Sequence, residues 1–141
     1  MSDVVIAWHE SRRPQSTGLL TRARPRLRIM LGAGHKLGPG KIDLLEAIDA
    51  TGSITAAGRS MGMSYRRAWV LIDEANRMFT KPLVVTSAGG AGGGGAKLTD
   101  LGRDLVTAFR RIEARTRTAI EQELAPFEPA FADLDAPLPD R

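Results

Sequence analysis

The sequence contains no cysteine, which excludes disulfides, cysteine–zinc sites and thiol nucleophiles together. Histidine is nearly as scarce. His9 and His35 are the only two, and neither has a carboxylate or second histidine at ligand spacing, so no metal site is expected. Aromatic residues make up only 5% of the chain, which leaves Leu, Ile, Val, Ala and Met to build the core. Long apolar runs are missing as well. The stretch Val4–Trp8 is too short for a secretory signal or a membrane span, and a cytoplasmic protein without a membrane partner is the expectation. No paired carboxylates and no nucleophile–base set stand out, so the chain reads as a non-enzyme without a catalytic site or cofactor.

Charge is present but unevenly placed. Residues 1–40 hold seven Arg/Lys against two acids, net +5; residues 41–81 hold six against five, net +1; residues 82–141 hold seven against nine, net −2. A basic front half fits a polyanion partner better than a membrane anchor, although +4 overall is also what simple solubility needs. At 141 residues there is room for one domain with tails. Residues 1–25, with Arg12, Arg13, Arg22 and Arg24, read as a flexible basic arm. Residues 126–141, with four prolines and four acids, read as a disordered acidic tail.

Between these ends, residues 26–125 carry a definite pattern. Leu27–Leu31 alternates like a short strand, and Gly32–Gly40 is a turn by composition. From Lys41 the apolar residues Ile42, Leu44, Leu45, Ala47 and Ile48 have helical spacing, stopped by Gly52. Ser53 caps a short helix, Ile54–Met61; Gly62 closes it, and Ser64 caps a longer one from Tyr65 to about Thr80. Two helices joined by a tight glycine turn form a helix-turn-helix. Leu83–Ser87 is strand-like, six glycines follow within residues 89–95, and Ala96–Leu98 returns: a hairpin with a long flexible tip, in the place of a wing. Thr99 caps a last helix, Asp100–Ala125. The fold expected is mainly α with a small β wing, a winged helix-turn-helix with a long C-terminal dimerisation helix.

On a helical wheel, Ala68, Leu71, Ile72, Ala75 and Phe79 share one face of the Tyr65 helix. Arg66, Val70, Asp73 and Arg77 lie opposite, with Arg67 and Trp69 on the flanks. Cations at the N-terminal end suit a recognition helix, whose first turns enter the major groove and whose Arg can grip guanine O6 and N7. A solvated helix surface would look similar. The glycine run admits three readings: a nucleotide loop, a plain linker, or a wing tip bare enough to approach a phosphate. The nucleotide reading fails, since Lys97 is preceded by Ala96 and followed by Leu98, and the run leads into a strand. The strand-like flanks favour the wing over the linker.

The runs GSITAAGRSMGMSYRRAWVLIDEANRMF and PLVVTSAGGAGGGGAKLTDLG, with the preceding LGPGKIDLLEAID, closely resemble the DNA-binding domain of the ModE family of molybdate-responsive regulators, over roughly residues 26–124. The resemblance implies a winged-helix domain that dimerises and binds double-stranded DNA. The candidate DNA contacts are then Thr55, Arg59, Ser64, Tyr65, Arg66, Arg67, Gly92, Gly93, Gly94 and Lys97. The candidate dimer contacts are Leu105, Phe109, Ile112 and Ile120. Two departures stand out. Family members continue into β-barrel domains that bind molybdate, whereas only the sixteen residues 126–141 follow the last helix here, so direct molybdate sensing is not expected. Gly58 stands inside a helix where the family tends to carry Ala. An alternative reading is a winged-helix adaptor that binds protein, through a tail bearing Phe127, Phe131 and Leu134.

Overall fold

The computed structural model describes residues 18–90 and 93–140. Most of the expected basic arm, residues 1–17, lies outside the described residues. The chain divides into two units, one spanning Arg26–Glu113 and the other formed by the stretches up to Pro25 and from Ala114. Within the first unit the order is β1 (Ile29–Leu31), β2 (His35–Leu37), α1 (Pro39–Thr51), α2 (Ile54–Ser60), α3 (Tyr65–Arg77), β3 (Val84–Gly90) and β4 (Gly93–Leu98). Helix α4 (Asp100–Leu124) begins in it and runs on into the second unit, where Ala125–Ala130 forms a 3₁₀ turn. This is a winged helix.

Local signals account for most boundaries. Pro39 sits at the first position of α1, two residues before the expected start, because its fixed φ suits a helix and its missing N–H would be unpaired there anyway. Gly52 ends α1 at φ 71°, its N–H donating to Ile48 O at 2.8 Å. Ser53 and Ser64 cap α2 and α3, accepting from Ala56 N and Arg67 N, each at 3.1 Å. Helix α3 stops at Arg77, short of Thr80, and the segment after it is tied back to Asn76, whose Oδ1 accepts from Leu83 N at 2.8 Å.

The core gathers Ile42, Leu44, Leu45 and Ile48 of α1, Ile54 and Ala57 of α2, Ala68, Leu71, Ile72 and Ala75 of α3, Leu83, Val84, Ala96 and Leu98 of the wing, and Phe109 of α4. Two glycines mark close approaches. A Cβ on Gly102 would sit 2.3 Å from Leu83 O, so the start of α4 rests directly on wing backbone. A Cβ on Gly58 would meet Ala68 Cβ at 3.0 Å, so the two helices of the helix-turn-helix cross more tightly than Ala there would readily allow.

Four expectations need correction. Residues 35–37, read as turn, form β2, antiparallel to β1 with Ile29 opposite Leu37 and Leu31 opposite His35; three residues are too few to show a period, and pairing alone makes the strand. The wing does not open into a long tip, because the ladder runs into the glycines and pairs Gly90 with Gly93. The tail begins with the Ala125–Ala130 turn, whose prolines at 126 and 129 tolerate 3₁₀ dihedrals. Residues 18–25 are not a loose arm: Arg22 N donates to Gly18 O at 3.0 Å, Leu20 is buried, and Arg22 meets Asp135 at 3.3 Å.

Candidate nucleic-acid interface

Helix α3 is amphipathic in the sense expected. Ala68, Leu71, Ile72 and Ala75 are buried, and Tyr65, Arg66, Arg67, Trp69 and Val70 are exposed. Ser64, exposed itself, spends its hydroxyl on the cap. Its first turn contains no acidic residue. Two arginines there oppose the helix dipole, which favours anions at an N-terminus by about 0.3–1 kcal/mol each. Helix stability therefore disfavours Arg66 and Arg67 where they stand. Neither makes an ion pair among the described residues, whereas Arg77, at the other end, is held by Asp73 at 2.8 Å.

The wing is anchored at its base and lies beside α3. Ala96 N donates to Gly52 O at 2.9 Å, tying β4 to the end of α1. Thr99 caps α4, accepting from Gly102 N at 3.1 Å while donating to Pro82 O at 2.8 Å. Further out, Gly95 N donates to Ser87 Oγ at 3.2 Å. Between wing and helices lies a cleft of about 310 Å³ lined by Ser53, Ile54, Thr55, Tyr65, Trp69, Thr86, Ser87, Gly95 and Ala96. Its aromatic wall is Tyr65 against Trp69, edge to face with centroids 6.0 Å apart.

The candidate DNA contacts thus fall into groups. Thr55 and Tyr65 meet in this cleft; Arg66 points outward from α3; exposed Lys97 lies on β4 beside a shallow neighbouring hollow with Val85, Thr86 and Gly52. Arg59 is exposed on α2 and lines neither. Arg67 lies on the other flank of α3. Gly93 and Gly94 belong to β4, and Gly92 lies outside the described residues. Thr86, Ser87 and Trp69 join the site without having been candidates. The flank position of Trp69 was the available signal; no sequence signal marks which faces of β3 turn toward α3.

The dimer candidates divide. Phe109 is corrected outright: it is 1% exposed and belongs to the monomer core, because the first half of α4 packs its stripe on the unit's own helices and wing. Leu105 packs half-buried on the same core. Ile112 is exposed and Ile120 half-buried, and no residue of α4 beyond Phe109 is buried.

Arg110 is a structural ion-pair centre. It donates from Nη1 to Glu113 at 2.8 Å, from Nη2 to Asp43 at 2.7 Å and from Nε to Glu46 at 2.6 Å, with a further Nη2 contact to Glu46. Burial alone would lower its pKa, but the hydrogen bonds it donates to Glu113, Asp43 and Glu46 outweigh that and raise it, so the guanidinium stays charged.

Comparison with known proteins places this architecture. No family model matches the chain. It is 40% identical over 102 residues to the molybdenum transport protein ModE of Azotobacter vinelandii, covering 72% of this chain and 38% of that one. It is 43% identical over 81 residues to the molybdenum-pterin-binding protein MopB of Rhodobacter capsulatus, covering 57% and 30%. Against the DNA-binding transcriptional dual regulator ModE of Escherichia coli it is 41% identical over 71 residues, covering 50% and 27%. The chain spans less than two fifths of the length of each of these relatives. It is a ModE-like protein, homologous to the N-terminal part of ModE-type chains.

Proposed function

We propose that the chain is a transcription regulator that binds double-stranded DNA sequence-specifically as a homodimer, laying the first turn of α3 in the major groove and the wing against the flanking backbone. The observation that carries the reading is the pair Arg66–Arg67, exposed and without ion pairs among the described residues at the dipole-disfavoured end of an otherwise well-capped helix. Arg66 and Tyr65 read base edges; Lys97 and the glycine backbone of the wing hold phosphate. That a relative is named a DNA-binding regulator supports this reading. The molybdenum in the relatives' names belongs to whole proteins of which this chain spans 27–38%, and sensing of molybdate is not assigned to these residues.

The dimer is proposed to form along the second half of α4. That helix has 25 residues, about 37 Å at 1.5 Å per residue, and carries exposed Ile112 and Leu124 on a stretch without buried residues. A two-fold dimer requires an inverted-repeat site with half-sites about one helical turn, or a multiple, apart.

Duplex titration of wild type and Ile112→Glu, with sedimentation of both, tests the whole. If a dimer neutralises roughly six to ten phosphates, wild-type affinity falls about 10³–10⁵-fold between 50 and 200 mM salt. Ile112→Glu sediments as a monomer and binds weakly. Flat salt dependence rules out the electrostatic interface, and a wild-type monomer at micromolar concentration rules out the dimer.

A further inference from the structure

The two flanks of α3 are not equivalent. At 100° per residue, Tyr65 and Trp69 face the wing, and Arg67, Leu71, Glu74 and Met78 lie on the opposite side of the outward face. On that second side lies a larger cleft, about 580 Å³, between α3, the β1–β2 hairpin and the start of α1. Its cations are Arg28, Lys36, Lys41 and Arg67. Lys41, mostly buried, is committed: it pairs with Glu74 at 3.1 Å and donates to Lys36 O at 3.0 Å. Arg28, Lys36 and Arg67 are exposed and make no ion pair among the described residues. Once Lys41 and Glu74 cancel, three like charges surround one open space, and their summed field favours an anion there.

The backbone of the cleft suits the same guest. Gly38 gives the start of α1 no side-chain cap, and Gly40, in its first turn, has nothing within 4 Å of where a Cβ would stand and no positive φ. Neither packing nor conformation calls for a helix-weakening glycine at Gly40, and it leaves the cleft wall bare for close approach.

We propose that this cleft is a second phosphate clamp, holding a backbone phosphate of duplex DNA on the side of α3 away from the wing. Resting on the DNA-binding reading above, it gives each protomer three holds: hairpin cleft, recognition helix and wing. Arg67 joins the hairpin clamp and leaves base reading to Arg66 and Tyr65. The cleft is far larger than one tetrahedral anion and open to water, so a small free anion stays hydrated and weakly held. A phosphate fixed in a duplex that α3 already grips arrives with its position determined.

The test titrates Arg28→Ala/Lys36→Ala and wild type against a random 30-base-pair duplex and a selected binding site, from 50 to 200 mM salt, with thermal unfolding as the control for folding. The double variant should lose about ten-fold or more in affinity by the same factor on both duplexes, with the log–log salt slope shallower by roughly one per protomer. Lys36→Glu, a single exposed change, should give a loss of the same kind if the double variant proves unstable. An unchanged slope in folded variants, while Lys97→Ala lowers it, overturns the clamp and leaves the DNA reading standing. No duplex binding by wild type at 50 mM salt overturns both. Calorimetry with inorganic phosphate separates the remaining source: micromolar binding lost in the double variant would make the cleft a free-anion site and overturn the proposal.

Discussion

Helices α1 and α3 have the same length, 13 residues each, and opposite uses of charge. In α1 every charged side chain is taken up within the protein. Asp43 and Glu46 hold Arg110, Asp49 meets Arg103 at 3.7 Å, and Lys41 holds Glu74. Its apolar residues Ile42, Leu44, Leu45 and Ile48 are wholly buried. In α3 the later charges are likewise paired, Asp73 with Arg77 and Glu74 with Lys41. Only the first turn departs, with Arg66 and Arg67 unpaired among the described residues. Charge that is neutralised inside the fold orients helices; charge left unpaired, against the helix dipole, is available to a partner.

The largest effect should come from breaking α1 as core. Leu45→Ala removes a fully buried side chain and should lower unfolding free energy by about 2–5 kcal/mol in denaturant titration, while DNA affinity of the protein that remains folded stays as in wild type. A cost below 1 kcal/mol would mean that α1 is not the centre of the core. Arg66→Ala inverts the pattern: stability holds or rises slightly, and binding to a selected site weakens by about 1–3 kcal/mol per half-site with relaxed sequence preference. Equal losses on selected and random duplex would reassign Arg66 to phosphate. Smallest is Arg110→Ala. Its pairs are partly exposed, so the loss should be on the order of 1 kcal/mol or less and shrink in high salt, with DNA binding little changed. A DNA defect as large as that of Arg66→Ala would erase the distinction between paired and unpaired charge.

Much of the frame was legible because its signals are local. Ser53, Ser64 and Thr99 cap the helices following them, as hydroxyl side chains next to unpaired N–H groups should. The buried set Ala68, Leu71, Ile72 and Ala75 follows from spacing alone. The illegible parts depend on distant partners. His35–Leu37 is a strand only because Ile29–Leu31 lies beside it. Phe109 and Ile112 are three residues apart on one apolar stripe, and nothing in the spacing says that the first is buried by its own protomer and the second left exposed.

The sequence by itself determined the caps at Ser53, Ser64 and Thr99, which face of α3 turns inward and which turn of it carries cations, because each depends on neighbours within about four residues. The tertiary structure decided which charges pair between helices: Lys41 of α1 finds Glu74 of α3 and Arg110 of α4 finds Asp43 and Glu46 of α1, while Arg66 finds no carboxylate among the described residues. It also decided that the glycines at 58 and 102 mark contacts between elements, with Ala68 and with Leu83. The two clefts beside α3 arise the same way. Each is walled by a hairpin, one that ends at Leu37, before the helix begins at Tyr65, and one after it, and only folding brings them to its two flanks.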